Sequence, residues 1–105
     1  MVEHVTTEAE YEALKATRDA LIVVDFSAVW CGPCRFVAPK FDEFSQRYSD
    51  AAVFVHVDID ELADLPDCQD VQGVPTFKFF RNGELLDKFS GANVALLEST
   101  IVEHL

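Results

Sequence analysis

The residues richest in possible chemistry are Trp30-Cys31-Gly32-Pro33-Cys34, where two thiols stand three positions apart. Thiols at that spacing suit exchange with a disulfide: one attacks a disulfide sulfur and the other displaces the product. The apolar run Leu21-Ile22-Val23-Val24-Asp25-Phe26 precedes them, and a stretch with helical spacing follows. Cys31 therefore falls where a strand hands over to a helix. Free backbone N–H groups and the helix dipole favour negative charge at such a place, and a thiolate is the negative species that exchange needs. Cys31, exposed ahead of the first turn, is the expected nucleophile. Cys34, one turn in and on the same face, is the expected resolving thiol. Gly32 and Pro33 are expected to tune the couple, since proline removes a donor and stiffens the turn.

Two further positions carry chemistry of their own. Asp25 is the odd residue of its strand, a carboxylate among Ile22, Val23, Val24 and Phe26. Burial there penalises the ionised form and should raise its pKa toward the working pH, which suits proton transfer; a hydrogen-bonded structural Asp is the plainer alternative. Cys68 stands apart from the pair between Asp67 and Asp70. Nearby negative charge should raise its pKa and leave it a poor nucleophile. An intermolecular disulfide or a regulatory oxidation stays open for it.

The elements that must hold these residues can be read from periodicity. Thr7-Glu8-Ala9-Glu10 has capping-box spacing and predicts a helix to about Arg18, with Tyr11 and Leu14 facing inward. Ala20 to Ser27 is the most apolar run and reads as a central strand covered on both faces. Val37, Phe41, Phe44 and Tyr48 define one face of a helix begun by Pro33 and expected to kink at Pro39. Val53, Val55, Val57 and Ile59 form the apolar side of a strand, and a short helix is expected over Glu61 to Cys68. Thr76–Arg81 and Glu84–Phe89 flank Asn82-Gly83, the signature of a hairpin. Asn93 caps a last helix whose buried side is Val94, Leu97, Ile101 and Leu105. The order β-α-β-α-β-α-β-β-α follows, parallel pairing early and antiparallel strands at one edge.

Composition narrows the classes. With 105 residues, half of them apolar and nine of them Phe, residues 1–105 are expected to form one domain with a core that needs no staples. No run approaches a membrane span, and Met1-Val2-Glu3-His4 lacks the basic start and apolar stretch of a signal peptide. Three cysteines without such a signal point to a reducing compartment, the cytoplasm. The net charge of −11 argues against nucleic acid and anionic membranes as partners. Between Arg47 and Lys78 there is no Lys or Arg, while Asp50, Asp58, Asp60, Glu61, Asp64, Asp67 and Asp70 fall in that span. This is either a solvated face or a means of steering toward a basic patch on a partner.

The element order and the segments Val23-Val24-Asp25-Phe26, Trp30-Cys31-Gly32-Pro33-Cys34, Val74-Pro75-Thr76-Phe77 and Phe89-Ser90-Gly91-Ala92-Asn93 resemble the thioredoxin family over essentially the whole chain. The resemblance implies an α/β thioredoxin fold, a central mixed five-stranded sheet flanked by four helices. It implies a monomeric protein-disulfide reductase that needs no cofactor and no metal, because the Cys pair carries the electrons. Gly-Pro between the cysteines marks reducing members, whereas Gly-His is typical of isomerase domains. Asp25 matches the family's buried Asp and would help deprotonate Cys34, through water. His56 stands where much of the family has Lys or Glu; it either pairs with Asp25 or is a half-exposed His without a role. A cis bond at Val74-Pro75 would set backbone groups of Val74 beside the pair for strand-like client binding. Trp30, Val74, Pro75, Gly91 and Ala92, with Gly32 and Pro33, would form a shallow apolar docking surface. The implied partners are an NADPH-dependent thioredoxin reductase and clients such as peroxiredoxins and ribonucleotide reductase. The competing readings are a disulfide isomerase or oxidase on the same fold, a metal site using Cys31, Cys34, Cys68 and His, and a non-catalytic interaction module.

Overall fold

A computed structural model describes all 105 residues. Strands β1 (Val2–His4), β2 (Leu21–Ser27), β3 (Ala52–Asp58), β4 (Thr76–Arg81) and β5 (Glu84–Ser90) alternate with helices α1 (Glu8–Lys15), α2 (Gly32–Arg47), α3 (Pro66–Gln69) and α4 (Val94–His104). The strands form one sheet in the order β1-β3-β2-β4-β5. β1, β3 and β2 run parallel, β4 is antiparallel to β2, and β5 is antiparallel to β4. This is the mixed five-stranded sheet with four helices that the family resemblance implies.

Every residue of β2 is buried, which explains its near-continuous apolar run. Alternation then splits the interior in two. Leu21 and Val23 of β2 join Phe54, Phe77 and Phe79 beneath α2 and α4, which contribute Val37, Phe41, Phe44, Leu97 and Ile101. Ile22, Val24 and Phe26 point the other way, to Val55, Val57 and Phe80, with Tyr11 of α1 and Leu65 and Cys68 at α3. Asp25 continues the Leu21–Val23 side. Its strand therefore delivers the one carboxylate under α2.

Local chemistry sets the boundaries. Thr7 Oγ1 accepts from the Glu10 amide at 3.1 Å, and Glu10 Oε1 accepts from the Thr7 amide at 3.1 Å, a complete capping box. The first helix ends at Lys15 with Ala16 as its cap, short of Arg18. The chain then turns through Asp19 at φ 60°, whose amide donates to Asn82 Oδ1 at 3.0 Å. α2 runs unbroken through Pro39. The expected helix from Glu61 to Cys68 is instead only Pro66–Gln69. Asp58 Oδ1 draws the Asp60 amide into a turn at 2.8 Å, and Leu65, the residue before Pro66, is held at ψ 130°. Asn82 and Gly83 both have positive φ, 51° and 80°, as a tight hairpin turn requires. A register shift at Phe79/Phe80 interrupts the β4–β5 ladder, a feature no sequence period announced. Asn93 Oδ1 caps α4 by accepting from the Leu96 amide at 3.0 Å. Leu105 does not line the core: it follows the last helical residue and is 45% exposed. No helix is long and apolar enough to cross a membrane.

Candidate active site

Cys31 and Cys34 are joined as a disulfide, with their Cα atoms 5.3 Å apart. Cys31 is the N-cap of α2 in extended conformation, and its Sγ accepts from the Cys34 amide at 3.1 Å. Pro33 lies in the first turn, where its missing N–H leaves no helical bond unmade. The strand–helix handover expected at Cys31 is therefore where the chain forms it. Its exposure is not. Cys31 is only 4% exposed, as is Cys34, and both pack with Ala28, Ile59 and Val74. The reason is tertiary: the loop before β4 folds over the pair and brings Val74 O to 3.6 Å from Cys31 Sγ.

Asp25 is 2% exposed, and its Oδ1 has no hydrogen-bond partner. Burial alone pushes its pKa up to about 7. Asp25 and Cys34 line the same cleft of about 160 Å³, together with Ser27, Arg35, His56 and Asp58. Such a cleft is large enough to hold water between the two side chains. No protein group donates to Asp25 Oδ1, so a carboxylate held at that oxygen by a neighbouring side chain is not what the fold builds.

His56 is the parallel-register neighbour of Asp25. Its imidazole is not paired with that carboxylate: Nε2 lies 2.6 Å from Ser27 Oγ, and the ring sits 5.0 Å from that of His4. Burial and His4 lower its pKa, against an opposing pull from Asp58. Neither Ser27 nor His4 carries a signal that sequence reading singled out, because both matter only through their neighbours across the sheet.

Around the pair, Val74-Pro75 is a cis peptide. Pro75 is buried and Val74 half-buried, and Pro75 O accepts from the Gly91 amide at 2.8 Å. Gly91 adopts φ 107°, which an L side chain resists, so this contact depends on glycine. Gly91 and Ala92 are half-buried, Gly32 and Pro33 are exposed, and Trp30 is 65% exposed. Trp30 Nε1 donates to Asp60 Oδ2 at 2.8 Å, which anchors the indole to the loop after β3. Asp60 thus belongs to the site's frame, although its sequence neighbours suggested only an acidic face.

Cys68 lies on the far side of the sheet among Val55, Val57 and Phe80. Burial pushes its thiol up to about 11; Lys78 opposes the shift, and Asp67 and Asp70 add to it. The ligand set imagined for a metal, Cys31 and Cys34 with Cys68, is not assembled, because the sheet separates Cys68 from the other two. The buried ammonium of Lys78 donates to Asp67 O at 2.8 Å and Asp70 Oδ1 at 2.6 Å, tying α3 to β4.

Residues 2–103 match the family model described as Thioredoxin. The chain is 43% identical to thioredoxin-1 of Schizosaccharomyces pombe over 105 residues, all of both chains. It superposes on the thioredoxin of Plasmodium falciparum with a TM-score of 0.90 at 36% identity, covering 98% of this chain and 99% of that one. A third match has a TM-score of 0.86 at 33% identity, covering 97% and 94%; it comes from a structure of the thiol resolving mechanism in yeast mitochondrial 1-Cys peroxiredoxin via glutathione/thioredoxin systems.

Proposed function

The chain belongs to the thioredoxin family, and from that premise we propose how its disulfide works and with whom. The protein is a dithiol–disulfide oxidoreductase that works through its own redox-active pair, Cys31–Cys34, without a prosthetic group. In the reduced form, Cys31 attacks one sulfur of a client disulfide. An S–S bond forms between Cys31 and the client, and the displaced client thiolate takes up a proton. Cys34 then gives its proton toward Asp25 and attacks the Cys31 sulfur. The mixed disulfide breaks, the second client thiol leaves, and two electrons have passed to the client. Support for Cys31 as the attacking sulfur is the Cys34 amide 3.1 Å from it at the start of α2, a donor that favours negative charge there.

The observation that carries this assignment is the buried Asp25, whose Oδ1 has no hydrogen-bond partner, in the cleft that Cys34 also lines. A carboxyl with a pKa of about 7 can accept a proton near neutrality and return it. Pro33 stiffens the turn between the sulfurs, and Gly32-Pro33 between the cysteines, as in reducing members of the family, favours a reducing couple. Trp30, Val74, Pro75, Gly91 and Ala92 form the docking rim, and the backbone of Val74, beside the Cys31 sulfur, is placed to pair with an extended client segment. Residues 1–105 act as one domain and as a monomer. Electrons come from an NADPH-dependent thioredoxin reductase, in the cytoplasm. Clients include peroxiredoxins, consistent with the peroxiredoxin setting of the yeast relative, and ribonucleotide reductase.

Trapping tests the assignment. Cys34→Ser should accumulate mixed disulfides through Cys31, seen by mass spectrometry, while Cys31→Ser should accumulate none. If both variants keep full insulin-reducing activity, the assigned mechanism fails.

A further inference from the structure

The outward face of α2 is mostly polar: Arg35, Lys40, Asp42, Glu43, Gln46 and Arg47 are exposed, with Ala38 and Pro39 the small apolar members. Phe36 is the one large apolar side chain on it and is 70% exposed. A helix that buries Val37, Phe41 and Phe44 has no packing use for an aromatic on its opposite side. Leaving Met1 aside, the three most exposed large apolar residues are Val29 at 77%, Phe36 at 70% and Trp30 at 65%; the others lie between 40% and 53%. These three bracket the disulfide within the chain. Phe36 follows Gly32 by four positions and Pro33 by three, so on the helix the three positions are surface neighbours. The helical spacing therefore sets Phe36 on the same stretch of surface as Gly32 and Pro33 at the rim of the redox pair.

Continuity with the reacting sulfurs indicates what covers that ring. A client sulfur must come within bonding distance of the Cys pair, about 2 Å. Its neighbouring residues then lie over the first turn of α2. Gly32 to Phe36 is a rise of about 6 Å along the helix. An extended client segment spans that distance in about two residues. We propose that Phe36 is a specificity-determining contact that takes an apolar side chain about two residues from the client's disulfide cysteine. The proposal rests on the reading that Cys31–Cys34 exchanges with protein disulfides, and it adds a client preference to that reading.

The test uses the prereduced protein in single-turnover exchange with three disulfides. Two are short peptides, each paired through its cysteine, that differ only in Leu or Ser about two residues from that cysteine. The third is oxidised glutathione, too small to reach Phe36. The natural chain should react about tenfold faster with the Leu peptide, a size expected for partial burial of two apolar side chains. Phe36→Gln should remove most of that preference and leave the glutathione rate unchanged, and Phe36→Leu should restore much of it. Equal rates on the two peptides with the natural chain, or an undiminished preference in Phe36→Gln, overturn the proposal. A loss of rate on glutathione as well in Phe36→Gln also overturns it, since the effect would then lie in the pair itself. No reaction of the natural chain with any of the three would overturn the redox reading, and the contact with it.

Discussion

Asp25 shows how much one residue type in one place can imply. Its pKa is raised from the usual 3.8 to about 7 by burial. Below pH 4 the folded and unfolded chains both hold the proton, and burial carries no ionic cost. Between about 4 and 7 the unfolded chain ionises while the folded one does not, so stability falls as pH rises; above 7 the penalty is constant. Asp25→Asn should therefore stabilise the oxidised protein by on the order of 4 kcal/mol more at pH 9 than at pH 4, read by guanidinium unfolding at both. An equal effect at the two pH values would mean that the carboxyl is not the ionising group. Sequence made Asp25 visible, because a carboxylate in an apolar strand stands out against its neighbours by residue type alone. His56 could not be read the same way. Its partners, Ser27 and His4, come from two different strands, and pairing across the sheet leaves no local period. Cys68 was legible in outcome more than in cause: flanking acids were expected to raise its pKa, and burial is the larger contribution.

At the scale of elements, local chemistry was readable wherever it closes within a few residues. The capping box at Thr7 and Glu10, the Asn93 cap and the Asn82-Gly83 turn all involve bonds or torsions inside a short window. Gly83 sits at φ 80° with open space around it, so the cost of a side chain there is one of conformation and not of collision. Gly83→Ala should lower stability by about 1 kcal/mol with the disulfide and its exchange rate intact; a neutral or stabilising change in thermal or denaturant unfolding would contradict the turn geometry. The α3 region differs from the expected helix because its apolar residues allow one from Glu61, while the turn at Asp58 and the extended Leu65 before Pro66 confine it to one turn. The end of α1 was overextended for a related reason. Charged residues to Arg18 tolerate a helix, but the chain must turn at Asp19 to meet the Asn82 side chain.

The whole molecule is two aromatic-rich interiors sharing one central strand. Phe41 connects the site-bearing helix to this scheme: its ring lies 5.3 Å from Phe54 and 5.8 Å from Phe77, joining α2 to β3 and β4. Phe41→Ala should cost about 3–5 kcal/mol in denaturant unfolding. A loss below about 1 kcal/mol would show that α2 is held by other contacts. The sequence by itself determined the order of elements, the strand–helix junction that carries the two thiols, the buried acid and the family. These depend on periodicity, capping and residue type, all of which are local. Only the tertiary structure decided that Val74 closes over Cys31, that Asp60 holds Trp30, that His56 turns to Ser27, and that Cys68 lies across the sheet from the pair. Each of these joins residues far apart in the chain, and such contacts are set by how the helices and loops pack on the sheet, which no stretch of sequence encodes alone.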